Sequence, residues 1–301
     1  MVTRKTKQIC RLPRIVCVRP VLSQAFAEAD TLDALTIEHL RNVPLTLLRQ
    51  RLYALIALLG MLSGANGAPA VAAAADLKFA LDQIAASFTK QTGQALHIAY
   101  GSSGNFYRQI AQGAPFELFM SADESYIFKL ADQGLTPDRG VAYASGRIVL
   151  FTPRNSAVQA DAADLKRAVA DGRLLKFAIA NPEHAPYGRA AKQALESMGL
   201  WSAIEPRLVL GENVAQAAQF AMSGSTQGGI FAYALALAPS VGEAGSYVLI
   251  PEAMHEPLRQ RMVLTRKAGE VAKAFYAYLQ QPQARMVLKR FGFAMPSESS
   301  H

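Results

Sequence analysis

Two serines carry the chemistry that this sequence offers most plainly. In Ala99-Tyr100-Gly101-Ser102-Ser103-Gly104-Asn105-Phe106 a strand ending, a turn of small residues and a helix beginning follow one another directly. Ser102 or Ser103 at the N-cap places a hydroxyl beside the unpaired backbone N–H groups of a first helical turn, at the positive end of the helix dipole. Such a place holds a tetrahedral oxyanion without any charged side chain. The plainer reading, a capped turn that holds nothing, is the commoner fate of an isolated Gly-Ser-Ser-Gly, and the rest of the chain has to decide between them.

Residues suited to other chemistry are scattered. His184 stands next to Glu183, but no second histidine lies at ligand spacing and His97, His255 and His301 are dispersed, so a structural role is expected for it. Ser102 and Ser103 lack the Gly-x-Ser-x-Gly elbow and an obvious base, which argues against a nucleophile. Neither catalytic residue, cofactor nor direct metal ligand is expected. Tyr100, Phe106 and Tyr107 fit the core and rim of a strand and a helix face better than a stacking site for an organic ligand.

The elements around the serines follow from periodicity. Leu96, Ile98 and Tyr100 alternate with His97 and Ala99 as in a strand, and Phe106, Ile110 and Gly113 recur at helical spacing. Val71 to Ala75 reads as a strand, with Asp76 as N-cap of a helix through about Thr89. Glu117 to Met120 reads as a third strand, followed by a capping box with Ser121 at N-cap and Glu124 three residues on. A strand from Arg147 to Pro153 leaves this unit, and Lys176 to Ala180 begins a second. Its loop Asn181 to Arg189 precedes a helix from about Arg189, and Leu208 to Leu210 runs into another helix start at Gly211-Glu212-Asn213-Val214. Further strands are expected at 228–233, 247–251 and 261–264, and final helices at 269–279 and 282–291. Strands alternating with helices predict an α/β protein of two lobes, each a mostly parallel sheet flanked by helices, with a ligand cleft between them.

The 301 residues are 51% hydrophobic, ample for two such cores. The net charge of +8 is no nucleic-acid footprint: residues 1–67 hold 9 Lys+Arg against 4 Asp+Glu, the remainder 22 against 19, so +5 of it sits in the leader. There Arg49 and Arg51, the apolar run Leu52 to Leu62 and the small residues from Ser63 to Ala70 have the parts of a signal peptide over about 47–70. The apolar run is shorter than the roughly 20 residues of a membrane-spanning helix. Residues 1–46 read as an extended n-region or an overlong start. Cys10 and Cys17 both fall in this leader, which excludes disulfides and thiol chemistry from the exported body.

Six motifs in order, Ala-Ala-Asp-Leu-Lys (74–78), Gly-Ser-Ser-Gly (101–104), Ala-Pro-Phe-Glu-Leu-Phe-Met-Ser-Ala-Asp (114–123), Asn-Pro-Glu-His-Ala-Pro-Tyr-Gly (181–188), Gly-Glu-Asn-Val-Ala-Gln-Ala (211–217) and Arg-Phe-Gly-Phe (290–293), make the stretch 71–296 resemble the periplasmic molybdate-binding proteins of ABC uptake systems. The resemblance implies a monomeric, periplasmic two-lobed receptor that closes on molybdate or tungstate and delivers it to a membrane permease. It implies one lobe from 71–146 and 251–298, the other from 147–250, after a leader of 1–70. It also implies a ligand shell: the Ser103 hydroxyl with Ser102 beside it, backbone N–H donors at Tyr187 and Val214, and the first strand's end at Ala75 and Asp76. There the family offers Ser, Thr or Asn, so Asp76 is a departure. A tyrosine found in some members falls on Ala232, so no tyrosine contact is expected.

Molybdate is a dianion with no proton to give at neutral pH, and neutral hydroxyls and helix N-termini suit it. Asp76 then cuts two ways. As an N-cap, the preferred reading, its carboxylate is tied to its own helix amides; as a pocket acceptor it favours a protonated oxyanion and repels molybdate. The alternatives are an exported protein for another oxyanion, of phosphate or sulfate type, or for a small organic anion, for which Arg189 is the nearest cationic candidate.

Overall fold

The unbroken run of apolar residues along Ala70–Ala74 (β1) buries both faces of this strand at once, as a central strand between two layers of helix requires. The structure, a computed structural model, describes residues 68–296. Most of the expected signal peptide, the segment 1–46, both cysteines and His301 lie outside the described residues.

After β1 come a 3₁₀ turn at Ala75–Leu77, helix α1 (Lys78–Thr92), β2 (His97–Gly101), α2 (Ser103–Ala111), β3 (Leu118–Ser121), α3 (Glu124–Asp132) and β4 (Val141–Gly146). Arg147 alone separates β4 from β5 (Ile148–Pro153), which opens a second series: α4 (Ala162–Ala170), β6 (Phe177–Ala180), α5 (Pro186–Ser197), β7 (Leu208–Gly211), α6 (Val214–Met222), β8 (Gly228–Ala232) and β9 (Gly245–Leu249). The chain then returns through β10 (Leu258–Leu264), α7 (Glu270–Leu279) and α8 (Pro282–Arg290). Among the described residues no helix is long and apolar enough to cross a membrane.

The strands form two five-stranded sheets, ordered β2-β1-β3-β10-β4 and β7-β6-β8-β5-β9. In each, the fourth strand of that order, β10 or β5, is antiparallel to both neighbours, and the other four run one way. The expected architecture of two mostly parallel sheets flanked by helices is therefore the one observed. In the first sheet the period of two sorts the core cleanly. Val71, Ala73, Leu118, Met120 and Met262 face Leu81, Ile84 and Phe88 of α1 and Phe275 of α7, while Ala72, Phe119 and Val263 face Phe106 and Ile110 of α2 and Ile127 and Leu130 of α3. Ala74, Ala75 and Ala122, at the carboxyl ends of β1 and β3, instead join the core of the second sheet, so the two halves pack against each other at the strand ends.

Several local expectations differ from what is observed. Ser121 ends β3, and the N-cap of α3 is Asp123, whose side chain accepts from the Ser125 N–H. β4 has no counterpart among the expected strands, because Val-Ala-Tyr-Ala-Ser-Gly is half small residues of low strand preference. Helix α5 starts at Pro186 rather than near Arg189; proline suits the first helical position, where its missing N–H costs nothing.

Phe88 sits at the centre of the first core, edge-on to Phe275 at 5.1 Å and to Tyr278 at 5.4 Å. Phe88→Ala should lower stability by about 3–5 kcal/mol, read as a fall in urea midpoint with unchanged slope. A loss below about 1 kcal/mol would contradict this packing.

Candidate functional site

The turn that follows β1 does not use Asp76 as a cap. Ala74 stands at the N-cap of the 3₁₀ turn and Leu77 at that of α1, and neither start has a side-chain cap. The Asp76 carboxylate is instead spanned by residues far along the chain: Oδ2 accepts from the Tyr187 hydroxyl at 2.8 Å and from Gln260 Nε2 at 2.7 Å. Gln260 Nε2 also donates to the Tyr187 oxygen at 3.0 Å, and the Tyr143 hydroxyl donates to Gln260 Oε1 at 2.7 Å. All four side chains are buried, and Asp76 is 1% exposed. Its other oxygen, Oδ1, has no hydrogen-bond partner among the described residues.

Burial pushes this carboxyl up to about 6, against the pull of the Gln260 and Tyr187 hydrogen bonds and of the nearby amides of Asp76 and Leu77. Burial, with the Asp76 charge beside them, lifts the Tyr143 and Tyr187 hydroxyls well above their ordinary value. The cluster also requires Gly146. A Cβ there would collide with the Tyr187 hydroxyl and lie 2.9 Å from Gln260 Nε2.

The two serines have separate tasks. Ser102 is the N-cap of α2 by backbone conformation, φ −82° and ψ 142°, but its hydroxyl lies 2.9 Å from His184 Nδ1 rather than on a helix amide. Ser103, the first residue of α2 and fully buried, accepts from the Ala122 N–H at 2.9 Å, which leaves its own O–H free to donate. His184 also takes the Gly104 N–H on its carbonyl at 2.9 Å, and its Nε2 stands 3.6 Å from Glu212 Oε2. A Cβ at Gly104 would approach that carbonyl to 2.6 Å, so glycine is what lets the two segments meet.

The facing wall is made of two more helix starts. Asn213 caps α6 by accepting from Ala215 N at 3.0 Å and Gln216 N at 3.1 Å, which leaves Val214 as the amide before the capped pair. At α5 the corresponding amide belongs to Tyr187, behind Pro186. Together these elements enclose a cavity of about 10 Å³ lined by Ala74, Ala75, Asp76, Gly101, Ser102, Ser103, Ala122, Ala185, Pro186, Tyr187 and Val214. Ala75, Asp76, Ser102, Ser103, Tyr187 and Val214, singled out from the sequence, thus line one cavity on which the N-termini of α2, α5 and α6 converge. No basic side chain is among its lining. Arg189 pairs with Asp123 and donates to the Tyr126 hydroxyl at 3.3 Å, at a separate hollow.

Gln260 and Tyr143 were not anticipated. Gln260 lies 184 positions from Asp76, and nothing in its strand-like surroundings sets it apart. The one available signal was a polar residue on an otherwise apolar face of β10.

A family model described as bacterial extracellular solute-binding protein matches residues 69–294. The chain is 36% identical over 250 residues to the molybdate-binding protein ModA of Rhodobacter capsulatus, covering 82% of this chain and 96% of that protein. It is 36% identical over 228 residues to ModA of Azotobacter vinelandii, covering 75% and 89%. Its structure matches that of the Azotobacter vinelandii periplasmic molybdate-binding protein with a TM-score of 0.69 and 32% identity, covering 76% of this chain and 99% of the other.

The raised carboxyl sets a pH dependence of stability. Because the folded state holds the Asp76 proton more tightly, with its group at about 6 against an ordinary 3.8, this group's contribution is most favourable below about 4 and is lost as pH rises through 6. The cost at pH 8 is about 3 kcal/mol at 1.36 kcal/mol per unit. In urea denaturation without ligand, Asp76→Asn should be more stable than wild type at pH 8 and close to it at pH 4. A difference independent of pH would contradict the burial argument.

Proposed function

The chain belongs to the bacterial extracellular solute-binding proteins, and on that footing we propose that it captures molybdate or tungstate in the cavity between its two sheets and delivers it to the membrane permease of an ABC importer. The observation that carries this reading is the convergence of three helix N-termini and the Ser103 hydroxyl on one small cavity without a basic side chain. Such a lining offers donors alone around the ligand, apart from Asp76, and suits a compact dianion that has no proton to give. Arg189, the cation that a carboxylate ligand would need, is engaged elsewhere, paired with Asp123. The relatives named as molybdate-binding proteins point to the same ligand.

In this reading the shell consists of the Ser103 hydroxyl and the Tyr187 and Val214 amides, with Ala75, Asp76 and Ser102 completing the wall. The lobes are 71–146 with 251–298, and 147–250. They move as a hinge about the crossings at Arg147 and at 250–257. The protein works in the periplasm, as a monomer, after loss of its leader.

At ligand near 100 times Kd, linkage adds about 2.7 kcal/mol of stability, and at about 2–4 °C per kcal/mol the melting temperature should rise by about 5–10 °C with molybdate or tungstate. No rise with either at millimolar concentration would overturn the assignment. Ser103→Ala should weaken binding roughly 10- to 150-fold, the worth of a hydrogen bond to a charged group, and should lower ligand-free stability by about 1–3 kcal/mol because the buried Ala122 N–H loses its acceptor. Unaltered affinity would remove Ser103 from the shell.

A further inference from the structure

The hydrogen bonds around Asp76 distinguish its two oxygens. Oδ2 accepts from both Tyr187 and Gln260, and the Tyr143 hydroxyl on Gln260 Oε1 turns the amide so that Nε2 faces the carboxylate. With two donors upon it, Oδ2 has no room for a proton. Oδ1 is buried without a partner, on a residue that lines the cavity. Resting on the oxyanion reading above, we propose that the cleft takes up one proton together with its dianion and holds it on Asp76 Oδ1, so that this carboxyl meets the ligand as a hydrogen-bond donor.

The surroundings leave few other ways to accommodate the charge. A bare carboxylate oxygen beside a dianion is repelled, and no lysine or arginine lines the cavity to offset it. The carboxyl already titrates near 6 through burial, and a dianion next to it raises it further. Above pH 6 the unliganded protein is therefore ionised at Asp76 and the liganded one is neutral there, which requires proton uptake on binding.

The side chains hydrogen-bonded around Asp76 do not titrate in this range in its place. Tyr187 from α5 and Tyr143 from β4 keep their protons at neutral pH, and Gln260 from β10 is uncharged. Helix α6 carries no titratable side chain, and the short helix Tyr233–Ala236 brings only Tyr233. From β2 come exposed His97 and Tyr100, whose hydroxyl donates to Asp82 at 2.6 Å, and from α1 comes Lys78, itself paired with Asp82. His184, bonded to Ser102 rather than to Asp76, is the one further group that the experiment must separate.

Calorimetric titration of the mature protein with molybdate at pH 7.5, in buffers of differing ionisation enthalpy, counts the protons directly. Wild type should take up close to one, and its Kd should rise toward tenfold per pH unit from 6.5 to 8.5. Asp76→Asn places an N–H where the Oδ1 proton would be; its uptake should fall to zero and its affinity become flat with pH. His184→Gln should retain the uptake. Three results would overturn the proposal: tight molybdate binding by wild type with no uptake, uptake that persists in Asp76→Asn, or uptake that disappears in His184→Gln alone. Tighter binding of phosphate than of molybdate by wild type, lost in Asp76→Asn, would also overturn it, since Oδ1 would then accept a proton from the ligand. If the asparagine variant does not fold, the wild-type buffer series still decides between one proton and none. Absence of any heat with molybdate and tungstate would instead remove the oxyanion reading itself.

Discussion

A carboxyl group cut off from water must find donors or keep its proton, and Asp76 finds side-chain donors on one oxygen only. Much of the site follows from that constraint. Tyr187 has to reach across from the first turn of α5, which is possible because Pro186 starts that helix early and because Gly146 leaves space for the hydroxyl. Gln260 has to stand on β10, the strand that runs against its neighbours, with its amide turned by Tyr143 from the adjoining strand. The cluster ties β1, β4 and β10 of the first sheet to α5 of the second half, so the same contacts that satisfy Asp76 hold the walls of the cavity together.

Magnitudes show why the protonation of this residue matters to binding. At an effective dielectric constant of 20, a dianion about 5 Å from an ionised carboxylate is repelled by about 7 kcal/mol. A helix N-terminus contributes about 0.3–2 kcal/mol per unit of negative charge, so three of them offer a dianion roughly 2–12 kcal/mol, a contribution of the same order as that repulsion. In the proposed shell, hydrogen bonds from Ser103 and from the amides would add roughly 1.5–3 kcal/mol each. The favourable and unfavourable contributions are of one size, and a neutral Asp76 moves the balance decisively toward binding. His184 acts at a different place, joining the start of α2 to the loop before α5 through its ring and its carbonyl.

The sequence made legible what is encoded locally. Period-two runs such as Leu96-His97-Ile98-Ala99-Tyr100 lead to strands because each face meets a different layer, and Ser103 and Val214 could be found because small or capping residues mark the starts of helices. The order of the motifs carried the two-lobed fold. What the sequence did not make legible depends on long-range contacts. Asp76 has the composition of an N-cap, but its partners lie 111 and 184 positions away, and the buried bonds they make outweigh the local preference. Ser102 likewise pairs its hydroxyl with His184 rather than with its own helix. Ser121 and Asp123 both satisfy the chemistry of a cap, and only the end of β3, which carries Ser121 into the sheet, decides for Asp123. The strand β4 was missed because alanine, serine and glycine give it little pattern, while its place is fixed by pairing with β10.

The central claim is that the cavity bounded by Asp76, Ser103, Tyr187 and Val214 is where the oxyanion sits. Anomalous diffraction at the molybdenum edge, from crystals grown with molybdate, tests it most directly because it locates the metal without reference to any assumed site. The account predicts a single strong peak inside this cavity, with oxygens within hydrogen-bond distance of the Ser103 hydroxyl and the Tyr187 and Val214 amides. A peak elsewhere on the protein, or none in crystals that hold molybdate in excess, would contradict it.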